Sequence, residues 1–388
     1  MSLTRIVAIA LVTSACNSSS ATPDATIDGF AVAPHAAYPQ LPDLGGPRLA
    51  HPQLVTVTFA SDTRAAMLET YAQWIVGSSW LTAVGAEYGV GAGAIAGVAH
   101  RPETPPIALT SAEIEAYLAA GVMDGSIPKP APPATLGDAL YIVYYPATTH
   151  ITTTFVNGII KKSCSDFGGY HGEVHQGGLD FAYSAIPDCG GAEPGLTALE
   201  TVEMIVSHEV IEAATDAFPI TAPAFQLRPD PTDAWARAFQ FEVEDGDLCE
   251  APSRWVREAG NVAQRSWSNA AAASGGEPCV PVDPALAAFG TTVVTPAGTQ
   301  HLPPGGSMDF ALVGWASGSV ADWQMTSQTG SFLTRVQFAP AALNNGVTST
   351  VHDTIPTNAA IGSTVSIFLV ASHAPEDATM WPLAIDVQ

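Results

Sequence analysis

At 388 residues the chain exceeds one ordinary folded unit, because domains cluster near about 100 to 150 residues, so two units with tails are expected. Lys plus Arg number 13 against 37 Asp plus Glu, giving a net charge of -24, which repels phosphate backbones and excludes nucleic acid as an expected partner. Hydrophobic content is 47%, ordinary for a globular chain, and no apolar run beyond the N-terminus approaches the roughly 20 residues that span a bilayer.

In chain order, Arg5, the apolar run Ile6 to Val12 and the small residues Ser14 and Ala15 lead into Cys16, which reads as an export signal over residues 1–16. Cys16 is expected as the lipid-modified first residue of a mature lipoprotein, giving a membrane anchor at the outer membrane or cell surface. Thr13 stands where Leu is usual, so cleavage and plain secretion is the competing expectation. Residues 17–50, rich in Ala, Pro, Ser and Gly without periodicity, are expected as a disordered tether.

A main domain is expected over residues 51–283. Gln53 to Phe59 alternates as a strand, and Ser61 and Asp62 offer cap oxygens to a helix running through Trp74. Thr110 and Glu113 form a capping-box pattern ahead of a second helix over Ile114 to Ala120. Ala139 to Tyr145 is β-branched and aromatic enough for a buried strand. Thr197 and Glu200 repeat the capping box, and the helical pattern then runs to about Thr215 without Gly or Pro. Beyond it lie the acidic segment Glu242 to Glu250 and a strand-like stretch near Val262 to Trp267. Past the linker Pro278 to Pro284, short β-like runs near Thr292, at Met308 to Val313, Arg335 to Phe338 and Thr364 to Val370 predict an Ig-like β-sandwich over 290–388. The expected fold is an α+β main domain with a mixed sheet and a central metal-site helix, zincin-like, followed by that sandwich.

The third helix carries the candidate chemistry. Residues four apart share a helix face with Cβ atoms about 6 Å apart, so His208 and Glu212 can grip one ion together, with Glu209 about 100° round. This follows the logic of His-Glu-x-x-His zinc hydrolases, in which the intervening Glu accepts the proton of an ion-held water. Zinc is the expected ion, and a carboxylate ligand also admits other divalent metals. The third ligand is expected to be Asp247, with His171 and Glu244 as further candidates. His171 lies in Gly168-Gly-Tyr-His-Gly172, where glycines let backbone approach an ion or substrate closely. The competing reading of the same residues is a hydrogen-bonded polar network or a surface face.

With Cys16 set aside, four cysteines allow three pairings, and an exported chain is expected to bridge them. Pairing sequence neighbours, Cys164 with Cys189 and Cys249 with Cys279, closes loops of about 25 to 30 residues, each worth about 3 kcal/mol in the loop-entropy view. No Cys-x-x-Cys spacing exists to favour a thiolate metal site.

Ser207-His-Glu-Val-Ile-Glu-Ala-Ala-Thr-Asp216 and Glu244-Asp-Gly-Asp-Leu-Cys-Glu250, with Trp235 between them and Gln264, Trp267 and Asn269 beyond, resemble the EXORDIUM or phosphate-induced protein family of plant cell walls and its bacterial relatives. The resemblance covers roughly residues 50 to 280 and departs from the family at Ala217, at Asp245 and in lacking a glycine-rich insert. It implies an extracellular protein with a metallopeptidase-like helix, with Asp216 at its end as a further candidate contact, and establishes no substrate. The functional expectation is an exported zinc hydrolase, a peptidase acting on extracellular peptide or cell-wall substrate, with Glu209 as general base and His208, Glu212 and Asp247 as ligands. The rival is a non-catalytic surface protein, carbohydrate-binding or adhesive, with a structural ion or none.

Overall fold

The computed structural model describes residues 30–388 except 155–157, 159, 229, 240–242, 251–254, 284, 330–333 and 375–376. The expected signal, Cys16 and the first part of the tether lie outside the described residues.

The main unit is built on a five-stranded sheet of β1 (Gln53–Phe59), β2 (Ala94–Arg101), β3 (Ala139–Tyr145), β4 (Tyr170–Gln176) and β5 (Leu179–Pro187). Their order is β2-β1-β3-β5-β4. Every pairing is parallel except that of β4 with β5, a hairpin turned by Gly177 and Gly178, both at positive φ. Helices cover both faces, which is why β3 is apolar at every position instead of alternating. Leu140, Ile142 and Tyr144 face one core with α1 (Ala65–Ile75), α2 (Ser79–Gly85) and α4 (Ala198–Thr215), while Tyr141, Val143 and Tyr145 face another with α3 (Ser111–Asp124).

Both capping boxes form. Thr110 and Glu113 close the start of α3, and Thr197 and Glu200 that of α4. The start of α1 differs from expectation, because Asp62 is drawn into an ion pair with Arg64, and Arg64 caps the helix without a side-chain bond.

The segment 30–50 departs from the disordered tether expected of it. Tyr38, Leu41 and Leu49 are buried, Leu41 exchanges two hydrogen bonds with Asn269, and Asp43 bridges Phe225. Its composition is that of a linker, yet its few large apolar side chains fall where the body offers apolar surface.

A hairpin of β6 (Trp255–Glu258) and β7 (Asn261–Gln264) lies along α4 and leads into the C-terminal region. There β8 (Phe289–Thr295), β9 (Ser307–Ala316), β11 (Arg335–Ala339) and β12 (Thr348–Thr354) form one antiparallel sheet in the order β8-β9-β12-β11. A second sheet centres on β10 (Trp323–Thr329), β13 (Thr364–Ala374) and β14 (Asp377–Val387), and the two sheets share one core. Among the described residues no helix is long and apolar enough to cross a membrane.

Candidate metal centre

Helix α4 brings His208, Glu209 and Glu212 to one end of a cleft of about 600 Å³. The helix is clamped against β7. Tyr71 donates to the carbonyls of Glu203 and Val262, Val262 N–H donates to Glu203, and Gln264 N–H donates to Ser207 Oγ. Opposite, the acidic segment tightens into a short 3₁₀ turn over Asp247–Cys249, whose Cys249 is disulfide-bonded to Cys279. The second bridge joins Cys164 to Cys189, so both disulfides pair sequence neighbours. They fit a protein that folds in an oxidising, extracytoplasmic compartment.

Three elements converge. His208 Nε2 lies 3.1 Å from Glu212 Oε1 and 3.8 Å from Asp247 Oδ1, and the ligand atoms of these three residues lie within 4.8 Å of one another. From β4 comes His171, whose Nδ1 is 3.5 Å from Glu212 Oε2 and whose Nε2 is 3.6 Å from Glu244 Oε1. His171, Glu212 and Glu244 form a second group within the same 4.8 Å limit. Buried His and carboxylate groups in this arrangement can hold a divalent ion.

The supporting contacts fix which imidazole nitrogen faces the carboxylates. Gln264 donates through its amide nitrogen to the Gly246 carbonyl at 2.8 Å, so its Oε1 faces His208 Nδ1 at 3.2 Å as an acceptor. His208 Nδ1 therefore carries a proton, and Nε2 is the nitrogen turned to Glu212 and Asp247, the one an ion would take in place of its proton. On the other side His171 Nε2 donates to the Asp216 carbonyl at 3.2 Å, which leaves Nδ1 as the nitrogen facing Glu212.

Glycines create the space. A Cβ on Gly246 would stand 2.7 Å from Glu212 Oε1 and 2.9 Å from His208 Nδ1, and one on Gly169 would stand 2.9 Å from Glu209 Oε1. Glu209 is 3% exposed, and its Oε2 has no hydrogen-bond partner. Burial pushes the Glu209 carboxyl up to about 7, with Glu212 adding to the effect and the two imidazoles opposing it. Burial also works against ionisation of Glu212, but His208 and His171 outweigh it and hold that carboxyl down at about 2.

Asp216 plays a different part from the contact expected of it. Its Oδ1 accepts from Ala224 N–H at 2.8 Å and its Oδ2 from Gln226 at 3.0 Å, so the carboxylate is engaged and only its backbone carbonyl reaches the centre, through His171. His175 is turned away, bonded to Asp180 and Thr221. Gln264 acquires a positioning role that periodicity does not reveal. Its local signal is a polar residue closing an otherwise buried strand.

No family model matches the chain, and no curated protein matches it. Among solved structures it is similar to domains 4 and 5 of the S-layer protein SbsC, with a TM-score of 0.19 and 10% identity over 26% of this chain and 54% of that one. It is also similar to the secreted serine protease VesC from Vibrio cholerae, with a TM-score of 0.19 and 13% identity over 26% of this chain and 23% of that one. A third is the Bacteroides ovatus GH5 xyloglucanase in complex with a XXXG heptasaccharide, at a TM-score of 0.17 and 14% identity over 26% of this chain and 19% of that one. The chain thus spans about half or less of each of these, and TM-scores this low assign neither fold nor function.

Proposed function

We propose that the protein is an extracytoplasmic zinc-dependent hydrolase, a peptidase, whose chemistry is centred on α4. The observation that carries this reading is the convergence of His208, Glu212 and Asp247 beside the buried Glu209 oxygen that makes no hydrogen bond. The donor set of one imidazole nitrogen and carboxylate oxygens suits zinc. A bound ion would supply Lewis acidity toward a substrate carbonyl and the attacking water.

The remaining work falls to the chain. Glu209 Oε2, which accepts no hydrogen bond, is the oxygen to take the proton of the attacking water and hand it to the leaving amine. Gln264 keeps the His208 ring in its productive tautomer. The cleft is also lined by Phe167, Tyr170, Met204, Ile205 and Ile220, apolar surface that suits a substrate side chain and excludes water around the carboxylates.

In this reading the main unit is a zincin-like domain and the C-terminal sheets are an Ig-like sandwich. Cys16 is the lipid anchor. The resemblance of residues 207–216 and 244–250 to the EXORDIUM family supports an extracellular peptide or cell-wall substrate. The test is cleavage of a peptide library by the zinc-loaded protein beside Glu209→Gln. A drop in turnover of at least about 100-fold, with metal content and melting temperature preserved, is expected for a lost general base. Full turnover in a folded, metal-loaded Glu209→Gln protein overturns the mechanism. Retention of an insoluble glycan by the wild type without cleavage of any peptide would favour the non-catalytic surface protein.

A further inference from the structure

The two candidate ligand groups are not alternatives, because they use opposite oxygens of one carboxylate. Glu212 Oε1 faces His208 Nε2 at 3.1 Å and also accepts from Asp247 N–H at 3.0 Å, while Oε2 faces His171 Nδ1 at 3.5 Å. Each imidazole has its other nitrogen tied back, to Gln264 for His208 and to the Asp216 carbonyl for His171. Two imidazole nitrogens therefore face the two oxygens of one carboxylate, the disposition a carboxylate-bridged pair of ions requires.

The second side has its own independent sign of a missing cation. Glu244 is 7% exposed, its Oε1 makes no hydrogen bond, and it offers a ligand atom within 4.8 Å of those of His171 and Glu212. A buried carboxylate oxygen without a donor costs a few kcal/mol unless a cation or proton satisfies it. Here Glu212 stands in the same group with the same sign of charge, and a divalent ion removes the repulsion between the two carboxylates.

We propose that the centre holds two divalent ions, the second bound by His171, Glu244 and the outer oxygen of Glu212, with Glu212 bridging the pair. This rests on the reading of the His208 site given above and deepens it. The second ion gives the cleft an additional Lewis acid on the β4 side, where a substrate carbonyl or carboxylate terminus would dock. His171 and Glu244 thereby become ligands in their own right instead of alternatives to Asp247.

The test is metal content by elemental analysis after equilibration with zinc and gel filtration into metal-free buffer, for wild type, His171→Ala, Glu244→Gln and His208→Ala. Circular dichroism and melting curves verify that each variant folds. About two ions per chain are expected in the wild type and about one in folded His171→Ala and Glu244→Gln, with Glu244→Gln as the near-isosteric change. Manganese loading gives a second readout. A spin-coupled spectrum is expected in the wild type and an isolated-ion spectrum in His171→Ala. One ion in the wild type, lost in His208→Ala and unchanged in His171→Ala, overturns the second site and leaves the first standing. No bound metal in the wild type overturns both.

Discussion

At the scale of single residues, the centre depends on atoms that are absent. Gly246 has an ordinary right-handed backbone, φ -71°, so conformational freedom is not what it supplies. It supplies room, since a Cβ there meets Glu212 Oε1 and His208 Nδ1 inside 3.0 Å. Gly246→Ala is therefore expected to push the two ligands apart and weaken metal binding by about 10- to 100-fold, the range seen when ligand support is disturbed. Competition with a fluorescent chelator measures it, and unchanged affinity would show that the acidic turn can retreat. A second buried carboxylate lies far from the centre. Asp353 is fully buried on β12, and burial pushes its carboxyl up to about 6 against a smaller pull from Thr334. The folded state therefore keeps this proton to higher pH than the unfolded chain, and stability falls as pH rises from about 4 through 6. Asp353→Asn is expected to raise the unfolding free energy by about 2 kcal/mol at pH 8 and to change it little at pH 4. Chemical denaturation at the two pH values checks the sign.

At the scale of elements, what the sequence discloses follows from how local each signal is. Strand β3 and helices α3 and α4 are legible because continuous burial on two faces and the Thr-x-x-Glu boxes act within a few residues. Strand β4 is not. Its sequence, Tyr-His-Gly-Glu-Val-His-Gln, is polar because it is an edge strand that lends one face to the centre, and only its pairing with β5 makes it a strand. The site divides the same way. His208, Glu209 and Glu212 follow from helical spacing, whereas the placing of His171, Glu244 and Gln264 is a tertiary fact that no periodicity encodes. Pro382 hides β14 by breaking the expected pattern of a strand interior, although it lies paired with Phe368. The start of α4 gives the element-scale prediction. Thr197 Oγ accepts from Glu200 N–H at 3.2 Å, Glu200 returns a bond to Thr197 N–H at 2.7 Å, and Arg257 of β6 pairs with Glu200. Thr197→Ala is expected to cost about 1 kcal/mol in denaturant unfolding while leaving metal affinity unchanged, because His208 sits three turns further along. A loss of metal affinity equal to that of Gly246→Ala would mean that the helix start and the centre move as one.

At the scale of the whole molecule, the surprise is where the linker-like segment 30–50 sits. Tyr38 lies among four tryptophans, with ring centroids 6.4 Å from Trp235, 5.9 Å from Trp267, 6.3 Å from Trp315 and 5.5 Å from Trp381. The first two belong to the main unit and the last two to the C-terminal sheets, and Trp315 Nε1 donates to the Tyr38 hydroxyl at 3.1 Å. One apolar cluster runs through both units, in which Trp235 also meets Trp381 directly at 5.3 Å. Aromatic contacts of this kind add to burial, and removing a large buried aromatic costs about 3 to 5 kcal/mol. The two units should therefore unfold together in the intact protein, with Tyr38 as one coupling contact beside the Trp235–Trp381 pair and the Arg237–Asp386 ion pair. Tyr38→Ala is expected to lower the unfolding free energy by about 3 kcal/mol and to split a single calorimetric transition into two. Metal binding separates the consequences: if the transitions split, added zinc should raise only the one belonging to the main unit, since ligand stabilises the folded unit that binds it. Two transitions already present in the wild type, and unchanged by Tyr38→Ala, would show instead that the shared cluster packs the units side by side without linking their stability.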